Sequence, residues 1–268
     1  MNRSTKSPST IPVSPPLRRR PHAARSARSA RGACAAHRHT PVWLFDLDNT
    51  LHGASRAIFP AINQGMTQYI MDSLGVSRDV ANQLRTGYTQ RYGAALLGLT
   101  RHHPIDPHDF LKVVHTFPDL PNMVHAERGL ARTLAALPGR KIVLTNAPEA
   151  YARAMLAELG IEQLFERVVA IEHMQTRGRW RAKPDHGMLR AVLREARAPL
   201  ADAILVEDTH GHLKRYRRLG IRTVWITGHL PAHLARCSRP HYVDHRIRSL
   251  KSLQRGLQHM PLRGRPRA

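Results

Sequence analysis

The chain has 268 residues, and its 42 Lys and Arg outnumber 19 Asp and Glu, which gives a formal net charge of +23 at pH 7. Its two cysteines, Cys34 and Cys237, exclude both a disulfide framework and a zinc-finger spacing. That usage is typical of a reducing compartment, so we expect a cytoplasmic protein. No apolar run approaches the length of a membrane span, so no membrane segment is expected.

The positive charge is concentrated at the two ends of the chain. Residues 1–40 contain nine Lys or Arg and residues 251–268 contain five, with no acid in either segment. Subtracting these from +23 leaves +9 for residues 41–250. This distribution favours basic tails on a globular domain over a dedicated nucleic-acid surface, with nucleic-acid binding through the tails as the alternative.

The N-terminal segment is rich in Pro, Ser, Ala and Arg, a composition that cannot build a packed core. It predicts a disordered basic extension over residues 1–40. An organelle transit peptide, or a start codon placed too far upstream, would have the same composition. Residues 251–268 are predicted to be a basic C-terminal tail.

The pattern of apolar residues between the tails changes twice along the chain. A short buried strand, VWLF, lies in residues 41–53 and is followed by a helical block over 54–136. Strands and helices then alternate over 137–250, which indicates a parallel sheet with helices on both faces. The predicted strands are RKIVLTN, FERVVAIE, DAILVED and RTVWITG, and the predicted helices are PEAYARAMLAELG, KPDHGMLRAVLREAR and HLKRYRRLG. The expected fold is a Rossmann-like α/β core with an α-helical cap inserted after the first strand.

Polar side chains follow four of the predicted strands: Asp46, Thr145 with Asn146, Glu207 with Asp208, and Thr227. Ligands of open parallel sheets bind beyond the carboxyl ends of the strands. We therefore expect the chemistry of this protein at that edge.

The first of these groups contains two aspartates with one residue between them. On a strand, the spacing of Asp46 and Asp48 puts both carboxylates on one face, where they repel each other unless a cation lies between them. Together with Asp208 and the adjacent Glu207 they predict an oxygen-rich site of the kind that Mg²⁺ prefers. The alternative for DLDNT alone is that Asp46, Asn49 or Thr50 only caps the following helix.

The order of the motifs resembles that of phosphatases of the haloacid dehalogenase superfamily. DLDNT, the Thr145 of LTN, the Lys183 of KP, and the acids of VED appear in the superfamily's order within residues 42–227. Considered separately, Lys183 is an ordinary lysine before a helix-starting proline, and Thr145 and Asn146 are turn residues. Only their register with the other motifs indicates a catalytic site.

The resemblance implies a role for each of these residues. Asp46 attacks phosphorus and forms an aspartyl-phosphate, and Asp48 acts as the general acid and base. Asp46, Asp208 and the backbone carbonyl of Asp48 hold Mg²⁺, with Glu207 as a further ligand or a supporting acid. Thr145 and Asn146 bind the phosphoryl oxygens, and Lys183 neutralises the charge of the transferred group.

The helical block is similar to that of the pyrimidine 5′-nucleotidase family, in NTLHGASRAIFPAIN, YTQRYGAALLGLTRHH and IDPHDFLKVVH, and so are LPGRKIVLTN and YVDHRIRSL. This resemblance implies UMP or CMP as the substrate, with Tyr88, Tyr92 and His115 lining the cap side of the pocket. Packing on a helix face is the alternative for each of the three. Phosphoglycolate or a sugar phosphate remains the alternative substrate, and either a monomer or a dimer is expected.

Two positions depart from the pattern of the nucleotidase family. His52 and Gly53 stand where the family usually has an aromatic residue and a proline, and His212 stands where it tends to have asparagine. Neither departure removes a catalytic acid. Both change loops beside the expected site.

Overall fold

A computed structural model describes residues 40–253 of the chain. The predicted extension over 1–40 and the predicted tail over 251–268 therefore lie outside the described residues, apart from Thr40 and residues 251–253. Residues 250–252 form a short 3-10 helix, and both Leu250 and Leu253 are buried. The folded part therefore continues slightly beyond residue 250.

Six strands form one sheet in the order β3-β2-β1-β4-β5-β6, and every neighbouring pair is parallel. They are Val42–Phe45 (β1), Arg140–Leu144 (β2), Arg167–Val169 (β3), Ala203–Glu207 (β4), Arg222–Ile226 (β5) and His245–Ile247 (β6). The order reverses between β1 and β4, so the carboxyl ends of these two central strands border the crevice in which such sheets bind ligands.

The helices of the described residues divide into an insertion between β1 and β2 and a set that follows β2. The insertion contains Ile58–Leu74 (α1), Arg78–Tyr92 (α2), Ala95–His102 (α3), Pro107–Val114 (α4), Leu120–Met123 (α5) and Leu130–Ala135 (α6). The later helices are Glu149–Glu158 (α7), His186–Glu195 (α8), His210–Arg217 (α9) and Ala232–Ala235 (α10). The predicted fold class, an α/β core with a helical cap after the first strand, is confirmed.

Alternation along each strand builds a separate core on each face of the sheet. One face packs with α7 and much of the insertion, through side chains that include Trp43, Phe45, Val143, Ile204 and Val206. The other face packs with α8 and α9, through Leu44, Ile142, Leu144, Leu205 and Trp225. Strands buried on both faces are nearly continuous apolar runs, which is why they were visible in the sequence.

The apolar pattern over residues 78–102 reads as one helical stretch, but the structure has two helices. Gly93 ends α2 with φ of 91°, a left-handed conformation that glycine adopts without strain. The chain then doubles back, and α3 packs on α2 so closely that a Cβ on Gly98 would lie 2.2 Å from the Tyr88 ring. Helices α2 and α3 therefore form a closely packed pair within the cap.

Among residues 40–253, none of the helices combines the length and the apolar character of a membrane-spanning segment.

Candidate active site

Four of the predicted site residues meet at the carboxyl edge of β1 and β4. Asp46 is the first residue after β1, and its backbone N–H donates to the carbonyl of Val206 in β4 at 3.0 Å. Glu207 is the last residue of β4, and Asp208 follows it. Lys183 reaches the same place from the segment that precedes α8.

A buried lysine joins two of the carboxylates. Lys183 Nζ lies 2.5 Å from Asp46 Oδ1 and 2.9 Å from Glu207 Oε2, and the three residues are at most 6% exposed. Burial alone would lower the pKa of Lys183, but the charges of the two carboxylates raise it above its ordinary value. Lys183 is therefore a fixed cation at the centre of the site.

Glu207 receives further support from α9. Its Oε1 accepts a hydrogen bond from the Thr209 backbone N–H at 3.1 Å, and its Oε2 lies 3.1 Å from Nδ1 of His212. Burial raises the pKa of Glu207, but the charge and the hydrogen bond of Lys183, together with the adjacent His212 ring, bring it well below its ordinary value. Glu207 is consequently an ionised carboxylate with a fixed orientation.

Asp46, Glu207 and Asp208 form an acidic group that can hold a metal ion, because one carboxylate oxygen from each lies within 4.8 Å of the others. Burial, and then the negative charge of Glu207, raise the pKa of Asp46 well above its ordinary value despite the opposing charge of Lys183. Burial and Glu207 likewise raise the pKa of Asp208 to about 8. Burial and mutual repulsion therefore disfavour the ionised forms of Asp46 and Asp208, and a bound cation would stabilise both of them.

Asp48 does not direct its carboxylate toward that group. Its Oδ1 accepts hydrogen bonds from His52 Nε2 at 2.9 Å and from the Tyr151 hydroxyl at 2.7 Å. Burial raises the pKa of Asp48, but these bonds and the charges of His52 and His115 lower it below its ordinary value. The Asp48 carboxylate is therefore not one of the three that can hold the metal ion, and the expectation that it shares one face with the Asp46 carboxylate stays a prediction.

The reason for this difference is that β1 ends at Phe45, so the chain turns before Asp48. Backbone N–H groups of Thr50 and Leu51 both donate to the carbonyl of Leu47, and Asn49 is left-handed with φ of 59°. The Asn49 carboxamide oxygen accepts from the backbone N–H groups of Ala54 and Ser55 at 3.0 and 3.1 Å. Asn49 thus stabilises the loop that follows Asp48.

Thr145 and Asn146 follow β2 and lie beside Lys183. The Thr145 hydroxyl oxygen accepts from the Ala147 backbone N–H at 3.0 Å, which leaves its own O–H free to donate. The Asn146 side chain accepts from the Lys183 backbone N–H at 2.7 Å, and its amide lies 3.3 Å from the Lys183 carbonyl. Asn146 therefore positions Lys183, and only its backbone is free for the predicted contact with substrate.

Of the three predicted cap residues, Tyr88 and Tyr92 lie together, with ring centroids 5.9 Å apart, whereas His115 lies near Asp48. The Tyr88 ring packs against Gly98, and its hydroxyl lies 2.8 Å from His103 Nε2, inside the cap. Tyr92 lines a groove at the boundary between cap and core. His115 lies near Asp48, with its ring centroid 5.7 Å from that of Tyr151, and burial lowers its pKa to about 4.

Three residues of the site had no role assigned from the sequence. His52 and His212 were visible as departures from a family pattern, and the i to i+4 spacing of Asp48 and His52 is a signal that could have suggested their contact. Tyr151 carries no local signal, because it lies 103 positions from Asp48. Only the packing of α7 brings it to the site.

The fold is similar to several solved structures. A HAD phosphatase from Thermococcus onnurineus aligns with a TM-score of 0.56 and 18% identity, over 81% of this chain and 97% of that one. CbbY from Rhodobacter sphaeroides, in complex with phosphate, aligns with a TM-score of 0.56 and 20% identity, over 80% of this chain and 96% of that one. The putative HAD-hydrolase YfnB from Bacillus subtilis, bound to magnesium, aligns with a TM-score of 0.52 and 14% identity, over 81% of this chain and 98% of that one. At these identities the likeness concerns the fold.

Sequence comparison identifies both a relative and a family. Phosphate metabolism protein 8 of Saccharomyces cerevisiae is 25% identical over 193 residues, which is 67% of this chain and 59% of the yeast protein. The chain thus spans less than two thirds of that relative. Residues 43–226 match the family described as haloacid dehalogenase-like hydrolase, and they contain all of β1 except Val42, the helical insertion and every acid of the site. The chain therefore belongs to the haloacid dehalogenase-like hydrolases.

Proposed function

We propose that the protein is a magnesium-dependent phosphomonoesterase that works through an aspartyl-phosphate on Asp46. The observation that carries this proposal is the placement of Asp46, a buried carboxylate at the end of the central strand, 2.5 Å from Lys183. Glu207 and Asp208 lie beside it. A carboxylate nucleophile needs this combination of fixed position and nearby positive charge.

The acidic group fits a divalent cation, because burial and the charge of Glu207 raise the pKa values of both Asp46 and Asp208 even with Lys183 beside Asp46. Asp46, Asp208 and the backbone carbonyl of Asp48 would hold Mg²⁺, and Glu207 would either bind it directly or orient Lys183. When bound, the ion offsets the negative charges of the phosphate and of its ligands. The magnesium bound to YfnB and the phosphate bound to CbbY, both of similar fold, support this assignment.

The first half of the reaction forms the aspartyl-phosphate. A carboxylate oxygen of Asp46 bonds to phosphorus, and the bond from phosphorus to the leaving oxygen breaks. Asp48 gives its proton to that oxygen, so the leaving group departs as an alcohol. In the second half Asp48 takes a proton from water, the water oxygen attacks phosphorus, and the bond to Asp46 breaks to release phosphate.

His52 and Tyr151 position Asp48 for both steps. Their hydrogen bonds hold one carboxylate oxygen and favour the ionised form, which is the form that acts as a base. The negative charge of a bound phosphate opposes this effect and raises the pKa of Asp48 toward the value an acid needs. Lys183 and the free O–H of Thr145 stabilise charge on the transferred group.

The substrate class proposed is a pyrimidine nucleoside 5′-monophosphate such as UMP or CMP. The support is the sequence resemblance, together with the rings of His115 and Tyr151 close to Asp48 and of Phe117 packed on Tyr151, where a leaving nucleoside would lie. Aromatic faces at that position can stack on a base. Tyr88 is not included, because its ring is packed inside the cap.

Asp46→Asn tests the nucleophile, since it keeps the shape of the side chain and removes the attacking charge. We expect phosphate release to fall by at least about 10³-fold. After acid quenching, mass spectrometry should find one phosphoryl group on the parent protein and none on the variant. Asp72→Asn, an exposed aspartate on α1, is the matched control and should retain full activity. Equal rates for Asp46→Asn and the control would refute the proposal.

A panel of monophosphates tests the substrate class separately. With magnesium present, UMP and CMP should show higher kcat/KM than phosphoglycolate and sugar phosphates. Equal or faster turnover of phosphoglycolate would remove the nucleotidase assignment and leave the phosphatase assignment intact. Activity that survives a chelator would remove the magnesium requirement.

We also propose a division of labour within the chain, in which residues 41–53 and 137–250 carry the catalytic core and residues 54–136 act as its cap. The cytoplasm is the proposed location, on the basis of cysteine usage alone.

A further inference from the structure

A groove of about 1030 Å³ lies next to the acids, between the cap and the core. One wall is formed by the end of α2 and by α3, and the other by residues 178–185 and 209–215. Gly93 brings the walls together, because a Cβ there would lie 3.0 Å from the Lys183 carbonyl oxygen. The groove therefore adjoins the backbone of Lys183.

The lining of this groove is strongly basic. It has a single carboxylate, Asp185, which already accepts from the Met188 backbone N–H at 2.7 Å and lies 3.4 Å from an arginine of the lining. We call it the arginine groove after the five arginines that line it: Arg91, Arg101, Arg179, Arg181 and Arg215. One committed carboxylate cannot balance five guanidinium groups, so the groove carries a net positive charge.

Two arginines on the core wall are free to bind a ligand. Arg179 and Arg215 are exposed, and within residues 40–253 their side chains form neither a hydrogen bond nor an ion pair. Of the five arginines that line the groove, only Arg181 has a carboxylate partner within residues 40–253. A guanidinium group without a partner can donate two parallel hydrogen bonds to two oxygens of a phosphate group.

The cap wall adds an aromatic ring that is held in place. The Tyr92 hydroxyl lies 2.7 Å from His102 Nε2, and the guanidinium carbons of Arg91 and Arg101 lie 5.5 and 5.8 Å from its ring centroid. Trp180 supplies a second, half-buried ring on the opposite wall. A concave site of this size with cationic groups on both walls can surround a small anionic molecule, which a flat surface cannot do.

We propose that the arginine groove binds a small molecule that carries two or more phosphate groups. The ligand is either the far end of the substrate or a separate polyphosphorylated compound. The first of these alternatives rests on the proposed phosphatase function, whereas binding by the groove does not.

The binding test uses inorganic tripolyphosphate as the probe and the full chain with magnesium and saturating orthophosphate, which occupies the catalytic edge. Arg179→Gln combined with Arg215→Gln should weaken tripolyphosphate binding by about tenfold or more, since each lost contact is a charge-assisted hydrogen bond. Arg190→Gln combined with Arg194→Gln is the matched control. These two arginines are exposed on α8 and lie outside the groove, so the control removes the same charge and should change the Kd by less than about twofold.

Steady-state hydrolysis of p-nitrophenyl phosphate, a small monoester, separates the two sources of the ligand. Competitive inhibition by tripolyphosphate that is lost in the groove variant identifies the groove as part of the substrate site. Non-competitive inhibition lost in the same variant identifies a separate ligand site. Both results support the proposal.

Two results would overturn the assignment. One is equal tripolyphosphate affinity in the groove variant and in the α8 control. The other is a single-stranded oligoribonucleotide that binds more tightly than tripolyphosphate and loses affinity in the groove variant, which assigns the groove to nucleic acid. If neither the parent protein nor any variant hydrolyses a monoester, but the groove variant still binds tripolyphosphate more weakly than the parent, the proposed function fails and the groove assignment stands.

Discussion

The catalytic edge of the sheet and the arginine groove are neighbours, and both are built from charged side chains. The two differ in whether those charges are paired with other side chains. At the edge, Lys183 is shared between Asp46 and Glu207, and Asp48 is held by two donors. In the groove, the side chains of Arg179 and Arg215 have no partner within the described part of the chain.

Burial explains this difference. An ion removed from water without a partner costs several kcal/mol, so the buried residues of the edge must satisfy one another. An exposed guanidinium group stays hydrated, so it can remain unpaired until a ligand binds, at little cost to the stability of the fold. The comparison predicts that substitutions at the edge affect folding as well as activity, whereas substitutions in the groove affect binding alone.

Lys183→Met should have the largest effect on stability. It leaves the buried carboxylates of Asp46 and Glu207 without their cation, so we expect the free energy of unfolding to fall by about 3–5 kcal/mol in the presence of a chelator. Urea denaturation measures this, and Lys112→Met, an exposed lysine on α4, is the control. Equal stability of the two variants would mean that the buried ion pairs contribute nothing.

Tyr151→Phe should have a smaller effect, because it removes one of two donors to Asp48. We expect a loss of about 1–2 kcal/mol of stability and a fall of about tenfold in kcat. The pKa of Asp48 should rise, so the acid limb of the pH–rate profile should shift to higher pH.

Tyr69→Phe is the matched control for Tyr151→Phe. It also removes a hydroxyl that donates to a carboxylate, that of Asp109 at 2.6 Å, but within the cap. Its pH–rate profile should coincide with that of the parent. An unshifted acid limb in Tyr151→Phe would show that Tyr151 packs against Asp48 without tuning it.

The raised pKa of Asp208 predicts a further dependence on pH in the metal-free protein. Between pH 7 and pH 8 the folded state retains a proton on Asp208 that the unfolded state has already lost, because the folded pKa is about 8. The free energy of unfolding should therefore fall as the pH rises, by about 1 kcal/mol over this unit. Thermal unfolding in a chelator measures the slope.

Both magnesium binding and Asp208→Asn should reduce this slope. Magnesium stabilises the ionised carboxylate of Asp208, and asparagine at this position does not ionise. A slope that is steep and unchanged in Asp208→Asn would place the titrating proton on another group of the edge. Asp46 is the first candidate, because its pKa is also raised.

The smallest effect on stability is expected in the groove. Arg179→Gln combined with Arg215→Gln should change the free energy of unfolding by no more than about 0.5 kcal/mol, as is usual for exposed positions without partners. Urea denaturation beside the α8 control checks this. A loss as large as that of Tyr151→Phe would show that the two arginines support the fold, and it would remove the contrast between the regions.

Much of the architecture is readable in the sequence because its signals are local. The strands around the site are short apolar runs, and the polar residues that follow them mark one edge of a parallel sheet. β6 was not predicted, because its three residues, His245–Ile247, offer no apolar run. The break at Gly93 was also missed, since the apolar pattern continues through it while the backbone does not.

The amino-acid sequence by itself determines the α/β core, the helical insertion and the order in which Asp46, Thr145, Lys183 and Asp208 arrive at the sheet edge. Only the tertiary structure decides which charges pair. It turns Asp48 toward His52 and Tyr151, and it assembles the arginine groove from residues as far apart in the chain as Arg91 and Arg215. The physical reason is that strand and helix periodicity act over a few residues, whereas pairing and burial depend on which distant segments the packing brings together.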